Sequence, residues 1–266
     1  MPKFQTNDGV WLHYELDGDP QHPLVVLLGG YTSNVDTWVA QVGPLQAAGF
    51  RVLRFDYRNH GQSAQTNQGL RIARLAMDLA NLLAALSIDK FSLMGHSMGA
   101  MVASQYLSLF GDTKVTSIIT EDQTPRMLNT PEWQFGIANS SYAMMDEIAT
   151  RFPTMKLTRK PLPLELKRQV SAHYVPFDFK QNRPLLIDGM VQDWRDVVEA
   201  ETIPHLFLAG AVSPLYPVAH AEQALALQTV IGSTMHVFDG VGHIPHLEAA
   251  AEFNEVVVAF LRGLSE

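Results

Sequence analysis

The chain has 266 residues, of which 47% are hydrophobic and 17% charged, with a net charge of −8 and no cysteine. That length and balance suit one large α/β domain with a full core, or two small ones. They exclude disulfides, a thiol nucleophile and thiolate metal sites, and argue against nucleic acid or an anionic membrane surface as partner.

In chain order, residues 1–9 carry no apolar signal core, and no apolar run is long enough to span a bilayer, so a cytoplasmic protein is expected. Residues 10–16 alternate and end in Asp17-Gly18-Asp19-Pro20, which predicts an antiparallel edge strand and a turn. Residues 23–28 are a continuous apolar run, the pattern of a strand buried on both faces, and stop at Gly29-Gly30. Residues 50–56 form the next expected strand, and residues 70–87 space their apolar side chains as a helix. A strand over 91–94, a helix over 98–109 and a strand over 116–120 follow. The alternation then breaks. Residues 126–200 are proline-rich, with short helical patterns, and read as a helical cap laid over the strand ends of a core formed by 1–125 and 201–266. Strands at 205–210 and 235–238, with helices near 217–228 and 248–262, complete the pattern. Strands alternating with helices predict a mostly parallel sheet covered on both faces.

Gly95-His96-Ser97-Met98-Gly99 sits where an apolar strand gives way to a helix. A serine framed as G-x-S-x-G at such a junction marks a nucleophile elbow, because glycines on both sides allow the sharp turn that lifts the hydroxyl clear of the sheet. A serine hydroxyl needs a base, and the base an orienting acid. His243, in Gly240-Val241-Gly242-His243 after the last strand, is the candidate base, with His246 as its nearest competitor.

These residues carry a resemblance to the α/β-hydrolase superfamily over essentially the whole chain. Further support comes from Leu28-Gly29-Gly30-Tyr31 with Trp38 downstream, and from Asp56-Tyr57-Arg58-Asn59-His60-Gly61-Gln62-Ser63, which looks like the family's D-x-R-G-x-G-x-S turn with Asn59 in place of a glycine. The resemblance implies an eight-stranded-type sheet, an oxyanion hole made by the backbone N–H groups of Tyr31 and Met98, and no cofactor or metal. Gly29 stands where the family has histidine, which implies a looser loop. The family's usual acid position, after the seventh strand, is held by Ser213 in Gly210-Ala211-Val212-Ser213-Pro214. Glu121-Asp122-Gln123-Thr124-Pro125, after the sixth strand, resembles a branch that supplies the acid there. Asp122 is therefore the expected acid ahead of Glu121, with Ser213 a bystander.

The cap's aromatic and methionine content points to a pocket for an apolar or aromatic group, with Gly30, Trp133, Tyr142, Met145 and Trp194 as candidate substrate contacts. The basic stretch from Arg151 to Arg168 reads as a solvated face. The expected function is a serine hydrolase of carboxylesterase type acting on a small molecule. Two alternatives stand beside it. One is a cofactor-free dioxygenase of the quinolone-opening type, whose elbow typically carries histidine where this chain has Met98. The other is a non-catalytic binding protein on the same fold. Oligomeric state is not legible.

Overall fold

Leu24–Leu28 (β3) is buried at all five positions, and its side chains divide between two apolar clusters. Leu24, Val26 and Leu28 enter one, Val25 and Leu27 the other, as the two-residue period of a strand dictates. The computed structural model describes residues 2–138 and 140–264. The remaining strands are β1 (Lys3–Gln5), β2 (Trp11–Asp17), β4 (Arg51–Phe55), β5 (Phe91–His96), β6 (Val115–Glu121), β7 (His205–Gly210) and β8 (Thr234–Phe238). They form one eight-stranded sheet in the order β1-β2-β4-β3-β5-β6-β7-β8. β1 and β2 are antiparallel to their neighbours, and β3 to β8 run parallel. The predicted edge strand is thus second from the edge, because the short Lys3–Gln5 pairs outside it.

The helices are α1 (Val39–Ala47), α2 (Ile72–Ala85), α3 (Met98–Phe110), α4 (Met145–Arg151), α5 (Leu164–Val170), α6 (Phe179–Val191), α7 (Arg195–Ala200), α8 (Ala219–Ala226), α9 (Pro245–Glu248) and α10 (Ala250–Gly263). Leu75, Leu79 and Leu82 of α2, with Val102 and Leu107 of α3, cover one face of the sheet. Leu45 of α1 and Phe253, Val257 and Leu261 of α10 cover the other, with Trp38 between them. The helix expected over 248–262 is α10, and Ala249, whose φ of −137° and ψ of 46° are not helical, separates it from the short α9 that precedes it. α1, which contains Gly43 and Pro44, had no sequence signal.

Residues 126–200 contribute Ile148, Phe152, Leu185 and Leu186 to the apolar cluster shared with α2 and α3. The ends of this segment are pinned together: Arg126 Nη1 lies 2.6 Å from Asp193 Oδ2, and the Trp194 N–H donates to the Pro125 carbonyl at 3.0 Å. Among the described residues no helix is long and apolar enough to cross a membrane.

The chain runs outward from β3 to β4 and then returns to β5 on the opposite side of β3, so the strand order reverses between β3 and β5. In open α/β sheets the crevice beyond the strand ends at such a reversal is where ligands bind. The loop holding Gly30 and Tyr31 leaves β3 there, and Ser97 follows β5. The Asp56–Ser63 turn supports this edge. Asp56 accepts the amides of Val35 (2.7 Å) and Gln62 (2.8 Å), which draws the loop after β3 against the turn after β4. Asn59, where the family has glycine, takes a left-handed φ of 66°. Asparagine tolerates that region, and its side chain bonds the Thr66 amide (2.6 Å) and carbonyl (2.9 Å) and Asn182 (2.8 Å).

Candidate active site

Ser97 sits between β5 and α3 with φ 51° and ψ −119°, a conformation that costs about 1–3 kcal/mol for a residue with a side chain. Two glycines make the turn possible. A Cβ on Gly95 would come within 2.4 Å of the Gly99 carbonyl carbon, and one on Gly99 within 2.0 Å of the Leu28 carbonyl oxygen. The Ser97 N–H donates to the Glu121 carbonyl at 3.0 Å, which anchors the turn to the end of β6. Its side chain makes no cap hydrogen bond to its own helix, so the hydroxyl is not consumed at the start of α3.

His243 lies between β8 and α9 and is buried, with its backbone N–H donating to the Leu157 carbonyl at 3.0 Å. Its ring faces the end of β6. Nδ1 is 2.6 Å from Oδ2 of Asp122, and both side chains are excluded from solvent. Asp122 holds a left-handed φ of 44°, which turns its carboxylate back over the strand ends. Oδ1 accepts the Gly210 N–H at 3.0 Å, and Oδ2 also accepts the Ser213 hydroxyl at 2.6 Å. Burial pushes this carboxyl up, but the rings of His220 and His243 outweigh that and hold it well below the usual carboxylate range. His220 Nε2 stands 3.8 Å from Oδ1. Ser213, expected as a bystander, donates its hydroxyl to the Asp122 carboxylate. The residue at the family's usual acid position thus helps to hold the candidate acid that follows the neighbouring strand.

Glu121 and His246, the less favoured acid and base, are partners of one another. His246 Nδ1 lies 2.8 Å from Glu121 Oε2, its backbone N–H donates to Oε1 at 2.8 Å, and its Nε2 meets the Thr37 hydroxyl at 2.9 Å. The sequence therefore placed two adjacent carboxylates on one strand end, each committed to a different histidine. The side chains of His96, Glu121 and His246 bring donor atoms within 4.8 Å of one another. Glu121 and His246 spend those atoms on mutual hydrogen bonds, which is the chemistry of a buried polar network and not of an open metal cage.

The backbone N–H groups of Tyr31 and Met98 donate to no other backbone group among the described residues. The Met98 amide heads α3, where the helix dipole favours negative charge. Beside them is a narrow pocket lined by Tyr31, Ile72, Ser97, Met98, Met101, Met127, Phe152, Leu185, Leu186, Gly189, Leu215 and Tyr216. Ser97 and two tyrosines are its only polar side chains, so the wall is otherwise apolar.

None of the five expected substrate contacts lines this pocket. Trp133 is buried, but its indole N–H is spent on the Arg126 carbonyl (3.1 Å) and the Thr124 hydroxyl (3.3 Å) of its own loop. Trp194 donates to Gln105 at 3.1 Å and packs over α3 on the far side of Met101. Tyr142 is exposed and Met145 packs into the core cluster instead. Gly30 backs onto His96, whose Nδ1 would lie 2.9 Å from a Cβ there. The wall comes instead from Ile72, Met101, Leu185 and Leu186, ordinary core-type residues with no signal apart from helical spacing.

A nucleophile elbow at the switch point of a mostly parallel sheet, with a buried histidine–carboxylate pair beside it, defines the class of this protein as a hydrolase-fold enzyme. The family described as alpha/beta hydrolase fold matches residues 23–250, and the chain belongs to it. The chain is 24% identical to 3-oxoadipate enol-lactonase 2 of Acinetobacter baylyi over 98% of this chain and 99% of that one. Among solved structures, the esterase from Exiguobacterium antarcticum superposes with a TM-score of 0.85 at 22% identity, covering 98% of both chains. The bromoperoxidase from Bacillus anthracis superposes with a TM-score of 0.84 at 21% identity, covering 98% of this chain and 100% of that one. At these identities the superpositions show the fold.

Proposed function

We propose that the protein is a serine hydrolase that cleaves a carboxylic ester with an apolar or aromatic group through an acyl-enzyme intermediate. The observation that carries this reading is the 2.6 Å contact between His243 Nδ1 and a buried Asp122, beside a serine held in a strained elbow. Asp122 keeps the Nδ1–H tautomer of His243, leaving Nε2 free to take the Ser97 proton. The Ser97 oxygen attacks the ester carbonyl, and the Tyr31 and Met98 amides receive the oxyanion. His243 returns the proton to the departing alcohol as the carbon–oxygen bond breaks. Water then repeats the sequence on the acyl-enzyme and releases the acid. Asp122 stays ionised throughout and offsets the imidazolium charge.

The pocket beside Ser97 supports an apolar or aromatic group on the substrate, because burying such a group against Met101, Met127, Phe152 and Leu185 gains about 25 cal/mol per Å². Residues 126–200 act as a cap over this pocket, supplying Met127, Phe152, Leu185, Leu186 and Gly189 to its wall. The partner is a small molecule, and the chemistry needs no cofactor. A fluorophosphonate probe should label the protein at Ser97, and Ser97→Ala should lose both labelling and turnover of p-nitrophenyl esters. Labelling of the Ser97→Ala variant to the same extent as wild type would overturn the reading.

A further inference from the structure

Glu121 occupies a position that the triad does not use, and it touches both halves of the site. Its backbone carbonyl accepts the N–H of Ser97 at 3.0 Å. Its carboxylate accepts the backbone N–H of His246 at 2.8 Å and the His246 ring N–H at 2.8 Å, three residues beyond His243. The far side of the His246 ring meets the Thr37 hydroxyl at 2.9 Å, its face stacks on Trp38, and its carbonyl accepts the Gln41 side chain at 2.8 Å. His96, the residue before the nucleophile, closes the circuit: its Nε2 donates to the His243 carbonyl at 2.9 Å. We propose that Glu121 is a positioning residue for the proposed hydrolysis, tying the nucleophile's elbow and the base's loop to one strand end through the Glu121–His246–Thr37 chain. The proposal rests on the hydrolase reading above.

A carboxylate with no cationic partner is an unusual choice for a purely structural clamp, since a buried amide would bond the same atoms without a charge. The groups facing Glu121 are His96 from β5, His243 and His246 from the segment after β8, and Asp122 directly after its own strand, with Glu248 acting on His246. Burial holds His96 at about 3 and His246 at about 3, so both rings stay neutral. Burial likewise pushes the Glu121 carboxyl up to about 7. Above that value the carboxylate is a strong acceptor for the His246 N–H groups. Below it the neutral acid grips them more weakly, and the loop carrying His243 loosens.

Glu121→Gln separates the two roles. The glutamine oxygen still accepts the His246 backbone N–H, and the His246 ring can reverse its tautomer, because the Thr37 hydroxyl accepts as readily as it donates. The variant should therefore fold but behave at every pH like the protonated wild type. Measured as kcat for a p-nitrophenyl ester between pH 5.5 and 9, wild type should exceed the variant about tenfold at pH 8.5, the scale of one hydrogen bond to a charged group. The ratio should approach one at pH 5.5, with KM unchanged. A ratio that stays constant across the range would overturn the proposal while leaving the hydrolase reading intact. Failure of the wild type to be labelled at Ser97 by a fluorophosphonate would overturn both. If Glu121→Gln does not fold, Thr37→Val carries the test. Losing the hydroxyl weakens the His246 ring N–H as a donor, so the Glu121-dependent step in kcat should move to higher pH, and an unmoved profile contradicts the proposal.

Discussion

At the scale of the residue, the proposed acid has an unusual environment. Asp122 is fully buried yet held well below the usual carboxylate range, because burial, which raises it, is outweighed by the His220 and His243 rings. Its folded-state value is depressed, so its contribution to stability is present above the ordinary carboxylate range and is lost as the pH falls through the folded value. Ser213 adds a hydroxyl donor to the same oxygen that meets His243. Ser213→Ala should lower kcat about tenfold at pH 8 with KM little changed, the scale of one hydrogen bond to a charged group. A kcat equal to wild type would return Ser213 to the bystander role that its side chain suggests on sequence grounds.

At the scale of the element, the loops that present these residues are fixed by buried polar side chains more than by their own conformational preference. Arg58 in the turn after β4 forms two 2.8 Å hydrogen bonds to Asp78 of α2, both side chains fully excluded from solvent, and reaches Asp8 near the N-terminus. Removing Asp78 takes away both of these bonds and leaves the buried guanidinium with only Asp8 as counter-charge, so Asp78→Ala should cost about 3 kcal/mol in denaturant unfolding. A cost below about 1 kcal/mol would mean that the turn is held by Asn59 and Asp56 instead. Burial lifts the Asp56 carboxyl to about 6. A raised carboxyl contributes stability at low pH and loses it as the pH rises through that value, so this turn should be somewhat less stable at pH 8 than at pH 5. Glu248 plays a similar part beside His243. Its carboxylate accepts the amides of Gly242 and Ile244 on one side and of Arg159 and Lys160 on the other, which binds the loop carrying His243 to the 126–200 segment.

At the scale of the whole molecule, most of the sheet was legible because its strands are buried on both faces and so appear as unbroken apolar runs. Residues 205–210 are the clearest case, predicted and found as the same strand. β1 was not legible: three residues, one of them buried, carry too little pattern. The strained turn at Ser97 and the contact between His243 and Asp122 involve residues the sequence singled out, because each follows a strand and the proposed chemistry demands particular residue types. The pocket wall could not. Its members arrive from α2, α3, α6 and several loops, and no local pattern distinguishes a leucine that faces Ser97 from one that faces the core. Aromatic content pointed to Trp133 and Trp194, but indoles carry an N–H that must be satisfied when buried, and both spend it on neighbouring backbone or amide groups away from the pocket. The pairing of Glu121 with His246 was equally hidden, since it depends on the pitch of the turn into α9. We propose that the acid of this site comes from the end of β6. The most direct measurement is kcat/KM of Asp122→Asn for a p-nitrophenyl ester at pH 8, with folding checked by circular dichroism. The asparagine amide would stabilise the wrong His243 tautomer, and the rate should fall about 10⁴-fold. A folded variant within tenfold of wild type would contradict it.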